Sequence, residues 1–126
     1  MVKRAVAAIL GFSALGNGLW MLAGGRAWYG CIPGVAETGP YNPHFVADIG
    51  AAFCVAGLAL IARAWRPRYW PAALAGAGFL AMHGLIHIAG LVGGHDAHAL
   101  FELSAVVLPA ALSLWAATSN KEPSHA

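Results

Sequence analysis

Three pairs of polar residues, each with a four-residue spacing, are the part of this sequence best suited to chemistry. The pairs are His44 with Asp48, His83 with His87, and His98 with Glu102. Side chains four residues apart lie on one face of an α-helix, so each pair would present two polar groups in the same direction. Imidazole suits zinc, copper, iron and nickel, whereas carboxylates favour harder ions. If the three helices meet, the spacing predicts a site with nitrogen and oxygen ligands.

Long apolar segments must position these pairs. Hydrophobic residues make up 60% of the 126-residue chain and charged residues only 10%, and the mean hydropathy is +0.67. Soluble domains carry about 25% charged residues, so lipid is expected to cover most of this surface. Each segment is long enough to cross a bilayer core of ~30 Å. We expect an all-α integral membrane four-helix bundle, a single membrane domain over 1–126, with spans at residues 5–23, 44–62, 69–92 and 97–118.

The basic residues indicate how the bundle is oriented. Six of the seven lie at one end of the predicted spans: Lys3, Arg4, Arg63, Arg66, Arg68 and Lys121. Only Arg26 falls at the other end. The positive-inside rule then predicts that both termini are cytoplasmic, in a multi-pass protein of the bacterial inner membrane. An alternative interpretation of the first segment is a secretory signal peptide, since Lys3 and Arg4 precede it and small residues follow Ala23.

In this orientation the polar pairs share one depth, in the outer half of the bilayer. A charged side chain within the hydrocarbon costs roughly 2.5 kcal/mol or more, so Asp48 and Glu102 should face the bundle interior and have partners there. We therefore predict a pocket that binds a transition metal such as copper, iron or zinc, for metal handling or redox chemistry. Its ligands would be drawn from His44, Asp48, His83, His87, His98 and Glu102.

Other classes of function use the same residues differently. A b-haem could take its axial ligands from His83 or His87 together with His44 or His98, and a quinone could occupy the same pocket. In a structural alternative, the histidines are internal hydrogen-bond partners in an accessory subunit of a larger membrane complex or in a homo-oligomer. The net charge of +2 and the scattered bases argue against a nucleic-acid partner. The chain has no nucleophile motif, phosphate loop or dinucleotide fingerprint that would indicate an enzyme. Whether it has enzyme activity is left open.

Local signals predict where helices begin and bend. Asn42 is expected to cap the second helix with Pro43 at its first position, and Pro71 to stand in the first turn of the third. Pro109 should disturb the fourth helix. Trp28 is expected at the outer membrane interface. The many alanines and glycines predict close helix packing.

The stretch from Trp28 to Phe53 reads WYGCIPGVAETGPYNPHFVADIGAAF. It resembles a family of short, uncharacterised bacterial four-helix membrane proteins with a PGV…TGP.N.HF..DIG block after the first span. The His83–His87 pair fits the same pattern. The resemblance implies a fold and a topology only. Any chemistry of His44 and Asp48 within the block is inferred from their side chains.

Overall fold

The computed structural model describes residues 1–94 and 97–119, and every regular element in this part of the chain is helical. The elements are α1 (Val2–Cys31), α2 (Pro43–Trp65), α3 (Trp70–Val92), α4 (Ala99–Glu102) and α5 (Leu108–Ala117), with short 3-10 turns at Val35–Thr38 and Pro67–Tyr69. A π-helical segment, Leu103–Val107, joins α4 to α5, so Ala99–Ala117 forms one continuous fourth span. Within these described residues, four helices are long and apolar enough to cross a membrane. The predicted all-helical class is confirmed.

The four spans form a ring in chain order. Helix α1 packs on α2, α2 on α3, α3 on α5, and α5 returns to α1. We call the end with Met1, the Pro67–Tyr69 turn and Thr118 the terminal end. We call the opposite end, with the 32–42 loop and the start of α4, the loop end. Lys121, one of the residues behind the predicted orientation, lies outside the described residues.

Glycine allows α1 and α2 to approach closely. A Cβ atom added to Gly57 would lie 2.6 Å from the carbonyl oxygen of Gly11 and 2.6 Å from the backbone nitrogen of Leu15. A Cβ on Gly18 would likewise collide with the backbone of Gly50. Membrane helices associate through such small residues because van der Waals contact, rather than the hydrophobic effect, holds them together. The prediction of close packing through small residues is confirmed for this pair of helices.

The terminal end is closely packed and tied by cations. Leu60 is fully buried there, among small side chains that are just as completely buried: Ala7, Ala73, Ala77, Ala116 and Ala117. Arg63 is also fully buried, and its Nη2 donates to the carbonyl oxygen of Thr118 at 3.2 Å. Lys3 donates to the hydroxyl of Thr118 at 2.7 Å, and Arg4 donates to two carbonyls at the end of α2. Cations are favourable at helix C-termini, where carbonyl oxygens lack helical partners.

Helix α1 is longer than predicted and is bent. It reaches Cys31 instead of ending near Ala23, and it passes through a non-helical Gly24 with φ −138° and ψ 39°. Beyond this kink, Nε1 of Trp28 donates to Oδ1 of Asn17 at 2.9 Å, across eleven positions of sequence. A straight helix would separate such residues by about 16 Å, which the two side chains could not span without the bend. Trp28, predicted at the membrane interface, therefore turns back toward the bundle.

The fourth span is irregular where Pro109 enters it. Proline lacks the backbone N–H and its ring clashes with the carbonyl of the fourth preceding residue, which disfavours a regular turn there. The π-helical segment Leu103–Val107 lies immediately before, and α5 begins with the proline in its first turn. The predicted disturbance at Pro109 thus takes the form of a widened turn.

The other predicted helix starts are confirmed. The side chain of Asn42 accepts a hydrogen bond from the backbone nitrogen of Phe45 at 3.1 Å, and Pro43 opens α2. Pro71 lies in the first turn of α3. These caps fix where the chain re-enters the bundle after each turn, and hence the level of every residue on α2 and α3.

Candidate small-molecule pocket

Three of the six predicted ligands lie outside the bundle interior. His44 and Asp48 face each other on α2, with Nε2 and Oδ2 3.5 Å apart, and their side chains are 89% and 61% exposed. His98 lies at the loop end, where its Nε2 is 2.9 Å from Oε1 of Glu37. His44 and Asp48 lie in the first turns of α2, and their shared face is exposed on the outside of the ring of helices and does not line the cavity.

The other three ligands come together between α3 and α4. Nδ1 of His87 lies 3.3 Å from Oε2 of Glu102, and the two side chains are 29% and 17% exposed. The ring of His83 meets that of His87 edge-on, with centroids 4.8 Å apart. The four-residue spacing therefore predicted correctly that His83 and His87 share a face. The cost of a charge in hydrocarbon predicted correctly that Glu102 has a partner, but the same prediction that Asp48 faces the bundle interior is wrong.

His83 is further held by aromatic rings. It lies edge-on to Phe53 at a centroid distance of 5.5 Å, and parallel to Phe79 at 6.3 Å with the planes 13° apart. Aromatic pairs at these separations stabilise one ring orientation. The imidazole of His83 is thus fixed by packing, whereas that of His87 is oriented by a carboxylate.

The arrangement divides the predicted ligand set into three places. Within residues 1–94 and 97–119, no three or more His, Cys, Asp or Glu side chains are grouped so that they could hold a metal ion. The histidine pairings considered for haem are also apart, because neither His44 nor His98 lines the interior cavity. Both outcomes have one cause: residues at the same depth on different helices need not share the same azimuth around the bundle.

A cavity of about 280 Å³ lies between the spans, and His83 and His87 line it. Its walls are mainly apolar and include Leu10, Met21, Ile49, Phe53, Leu80 and Phe101. Its polar lining consists of Ser13, Asn17, Trp28, His83, His87 and Ser113. Ligand sites typically combine apolar walls with a few placed polar groups in this way.

The 32–42 loop closes the loop end of the cavity. Ile32, Pro33 and Val35 line it, and Gly34 adopts a positive φ of 81° between them. The ring of His98 lies against this glycine, since a Cβ there would be 3.1 Å from Cδ2 of the imidazole. Together with the His98–Glu37 pair, this contact fastens the loop to the start of the fourth span.

Exposed residues of α1 and of the loop-end half of the fourth span both line the cavity, which indicates a lateral opening between these helices. Helix α1 packs on α5 but makes at most isolated contacts with α4 and with the π-helical segment. Ser13 of α1 and Ala105 of the π-helical segment both line the cavity and are both exposed. Phe12 beside the opening is 63% exposed, so the surrounding surface is apolar.

Two of the six polar lining residues, His83 and His87, were predicted from the sequence. Asn17 interrupts an apolar segment, but nothing in the sequence links it to Trp28. Ser13 and Ser113 carry no signal, because single serines are common in membrane helices. Comparison of the chain with protein-family models, with curated proteins and with solved structures gave no match.

Proposed function

We propose that this protein spans the membrane four times and binds a small, lipid-soluble, ring-bearing molecule of the quinone class in its interior cavity. The observation that carries the proposal is an apolar cavity that opens sideways between two spans and has His83 and His87 on its wall. The cavity is slightly smaller than the roughly 300–1,000 Å³ typical of ligand pockets, which favours one or two fused rings over a haem macrocycle.

The two histidines offer complementary hydrogen bonds to such a ring. The carboxylate of Glu102 beside Nδ1 of His87 favours a proton on that nitrogen. The opposite nitrogen, Nε2, is then an acceptor when the imidazole is neutral, suited to a hydroxyl of a quinol. His83, packed among rings without a carboxylate partner, can donate to a quinone carbonyl. The pair thus serves both oxidation states of the ligand.

Orientation in the bilayer is part of the proposal. Lys3, Arg4 and Arg63 hold carbonyls and a hydroxyl at the terminal end. We infer that this end faces the cytoplasm of a bacterial inner membrane, which puts the cavity in the outer leaflet. Reporter fusions after the C-terminus and within the 32–42 loop test this. A C-terminal reporter active only in the periplasm would overturn it.

Binding is tested with the purified protein in lipid nanodiscs and a short-chain quinone. Because Trp28 lines the cavity, the ligand should quench its fluorescence, and Trp28→Phe should remove most of the quenching. Trp115→Phe is the matched control, since Trp115 does not line the cavity. Unchanged quenching in Trp28→Phe would mean that the quinone merely dissolves in the lipid.

Two substitutions of the cavity wall test the site itself. Ala105→Phe should block the lateral opening, whereas Ala51→Phe on an exposed face away from the cavity should not. His83→Leu should weaken binding about three- to tenfold, the effect of losing one hydrogen bond. Equal affinity in all these variants would refute the proposed site.

Transition-metal binding is the second candidate, favoured by the adjacency of His83, His87 and Glu102. It would require these side chains to move until their ligand atoms reach about 2.0–2.2 Å from one ion. Metal analysis of the purified protein decides between the candidates. A stoichiometric metal that is lost in His87→Ala, in a variant that still inserts and folds, would favour the metal over the quinone.

A further inference from the structure

The hydroxyl group of Ser113 is buried and has no hydrogen-bond partner among the described residues. It lies on α5 at the cavity wall, its side chain is fully buried, and its Oγ has no hydrogen-bond partner among residues 1–94 and 97–119. Buried polar groups are nearly always hydrogen-bonded, so an exception calls for a ligand or a water molecule.

The other hydroxyls of the fourth span behave differently. Oγ of Ser104 donates to the carbonyl of Leu100 at 2.6 Å, and Oγ1 of Thr118 donates to the carbonyl of Trp115 at 2.8 Å. This return to the preceding turn is the usual way in which a helical hydroxyl is satisfied. Ser113 lacks this bond.

The level of Ser113 relative to the histidines follows from the contact between α3 and α5. Gly84 of α3 lies against Ala110 of α5, since a Cβ on the glycine would be 3.1 Å from that of the alanine. The two helices are antiparallel, so Ser113 lies about 4.5 Å from this level toward the terminal end and His83 about 1.5 Å toward the same end, whereas His87 lies about 4.5 Å toward the loop end, which puts only His87 about 9 Å from Ser113. A separation of about 9 Å along the bundle suits two hydrogen bonds of about 2.8 Å with one ring between them.

We propose that the ligand has oxygen atoms on two opposite edges of its ring, as a para-quinone or its quinol does. One oxygen is bound by His87 and the other by the hydroxyl of Ser113. Because a hydroxyl both donates and accepts, Ser113 can pair with a carbonyl or with a hydroxyl of the ligand. This inference rests on the proposed function and narrows the quinone class to molecules whose two oxygens lie on opposite edges of the ring.

The test compares two molecules that share a two-ring carbon frame. 1,4-Naphthoquinone has both oxygens, whereas 1-tetralone has one. Their affinities are measured by equilibrium dialysis against nanodiscs with and without the protein, which corrects for partition into lipid. The protein should bind the quinone about fivefold more tightly than the tetralone, the effect of one additional hydrogen bond.

Ser113→Ala should abolish this preference and leave the affinity for 1-tetralone unchanged. Ser104→Ala is the control, because its hydroxyl is bonded within the helix and does not line the cavity. A preference for the quinone that persists in Ser113→Ala would overturn the inference while the proposed function stands. Failure of both molecules to bind would overturn the proposed function as well.

A measurement without ligand gives an independent test. If Oγ of Ser113 is unsatisfied in the free protein, Ser113→Ala should unfold at the same or a higher temperature than the parent. A clearly lower unfolding temperature would mean that the hydroxyl is already engaged within the protein, and the inference would be wrong.

Discussion

The two ends of the bundle are built in opposite ways. At the terminal end, alanine side chains pack closely around Leu60 and Arg63, and cations bind the carbonyl oxygens that end α2 and the fourth span. From the loop end to the middle of the bundle, aromatic and imidazole rings line a cavity, which extends toward the terminal end as far as Leu10 and Ser113. Small side chains let helices approach, whereas large rings hold them apart and leave space between their edges. The same four helices are thus closely packed at the terminal end and enclose a cavity toward the loop end.

The backbone irregularities follow this division. The kink at Gly24 and the π-helical segment Leu103–Val107 both lie in the loop-end half. The first turns Trp28 toward the cavity, and the second widens the helix beside the lateral opening. π-Helical turns within α-helices are frequent at functional sites. We interpret the terminal end as the part that sets stability, and the loop end as the part that binds.

The largest effect is expected where α1 and α2 touch through glycine. Gly57→Leu would drive a side chain into the backbone of Gly11 and Leu15, which cannot move without separating the helices. We expect loss of the folded protein, seen as failure to purify a monodisperse species in detergent. Gly16→Leu is the control, because no atom lies within 4 Å of a Cβ there. A stable Gly57→Leu protein would contradict the tight interface.

The next effect concerns packing at the terminal end. Leu60 is fully buried, and Leu60→Ala should lower the free energy of unfolding by about 2 kcal/mol or more through lost contacts and a new void. Leu58 is 55% exposed on the same helix, so Leu58→Ala should change it by much less. Thermal or denaturant unfolding in detergent measures both. If the two variants lost the same free energy of unfolding, the interior around Leu60 would be no better packed than the exposed face of α2.

A smaller effect is expected from the hydrogen bond that crosses the kink. Asn17→Ala and Trp28→Phe each remove one partner, and a double-mutant cycle should give a coupling of about 1 kcal/mol. The variants should also weaken binding of a quinone, because both side chains line the cavity. Strictly additive effects on stability would mean that the bond does not hold the bend of α1.

The smallest effect is expected at the surface of the loop end. Glu37→Gln weakens the pair with His98 and should cost less than about 1 kcal/mol, with the difference vanishing at high salt. It should nevertheless speed proteolysis within the 32–42 loop, since the pair fastens that loop. Asp48→Asn, which alters an exposed pair within one helix, should leave the rate unchanged. Identical rates of proteolysis in the two variants would mean that the Glu37–His98 pair does not hold the 32–42 loop in place.

Much of the fold could be predicted from the sequence because its causes are local. Apolar length predicts the spans, Asn42 and Pro43 predict where α2 begins, and Pro109 predicts a disturbance of the fourth helix. The four-residue spacing of His83 and His87 predicts a shared face, since helical geometry fixes the direction of both side chains. These properties need no knowledge of what lies opposite each helix.

The composition of the site was decided by tertiary structure. Depth along a helix can be counted from the sequence, but rotation around the bundle axis depends on which faces pack, and here glycine contacts between α1 and α2 set that rotation. His44 and Asp48 consequently lie on the outside of the bundle, although they share the depth of the other pairs. Trp28 reaches the cavity only because α1 bends, and Ser113 matters only because the wall around it leaves its hydroxyl unpaired.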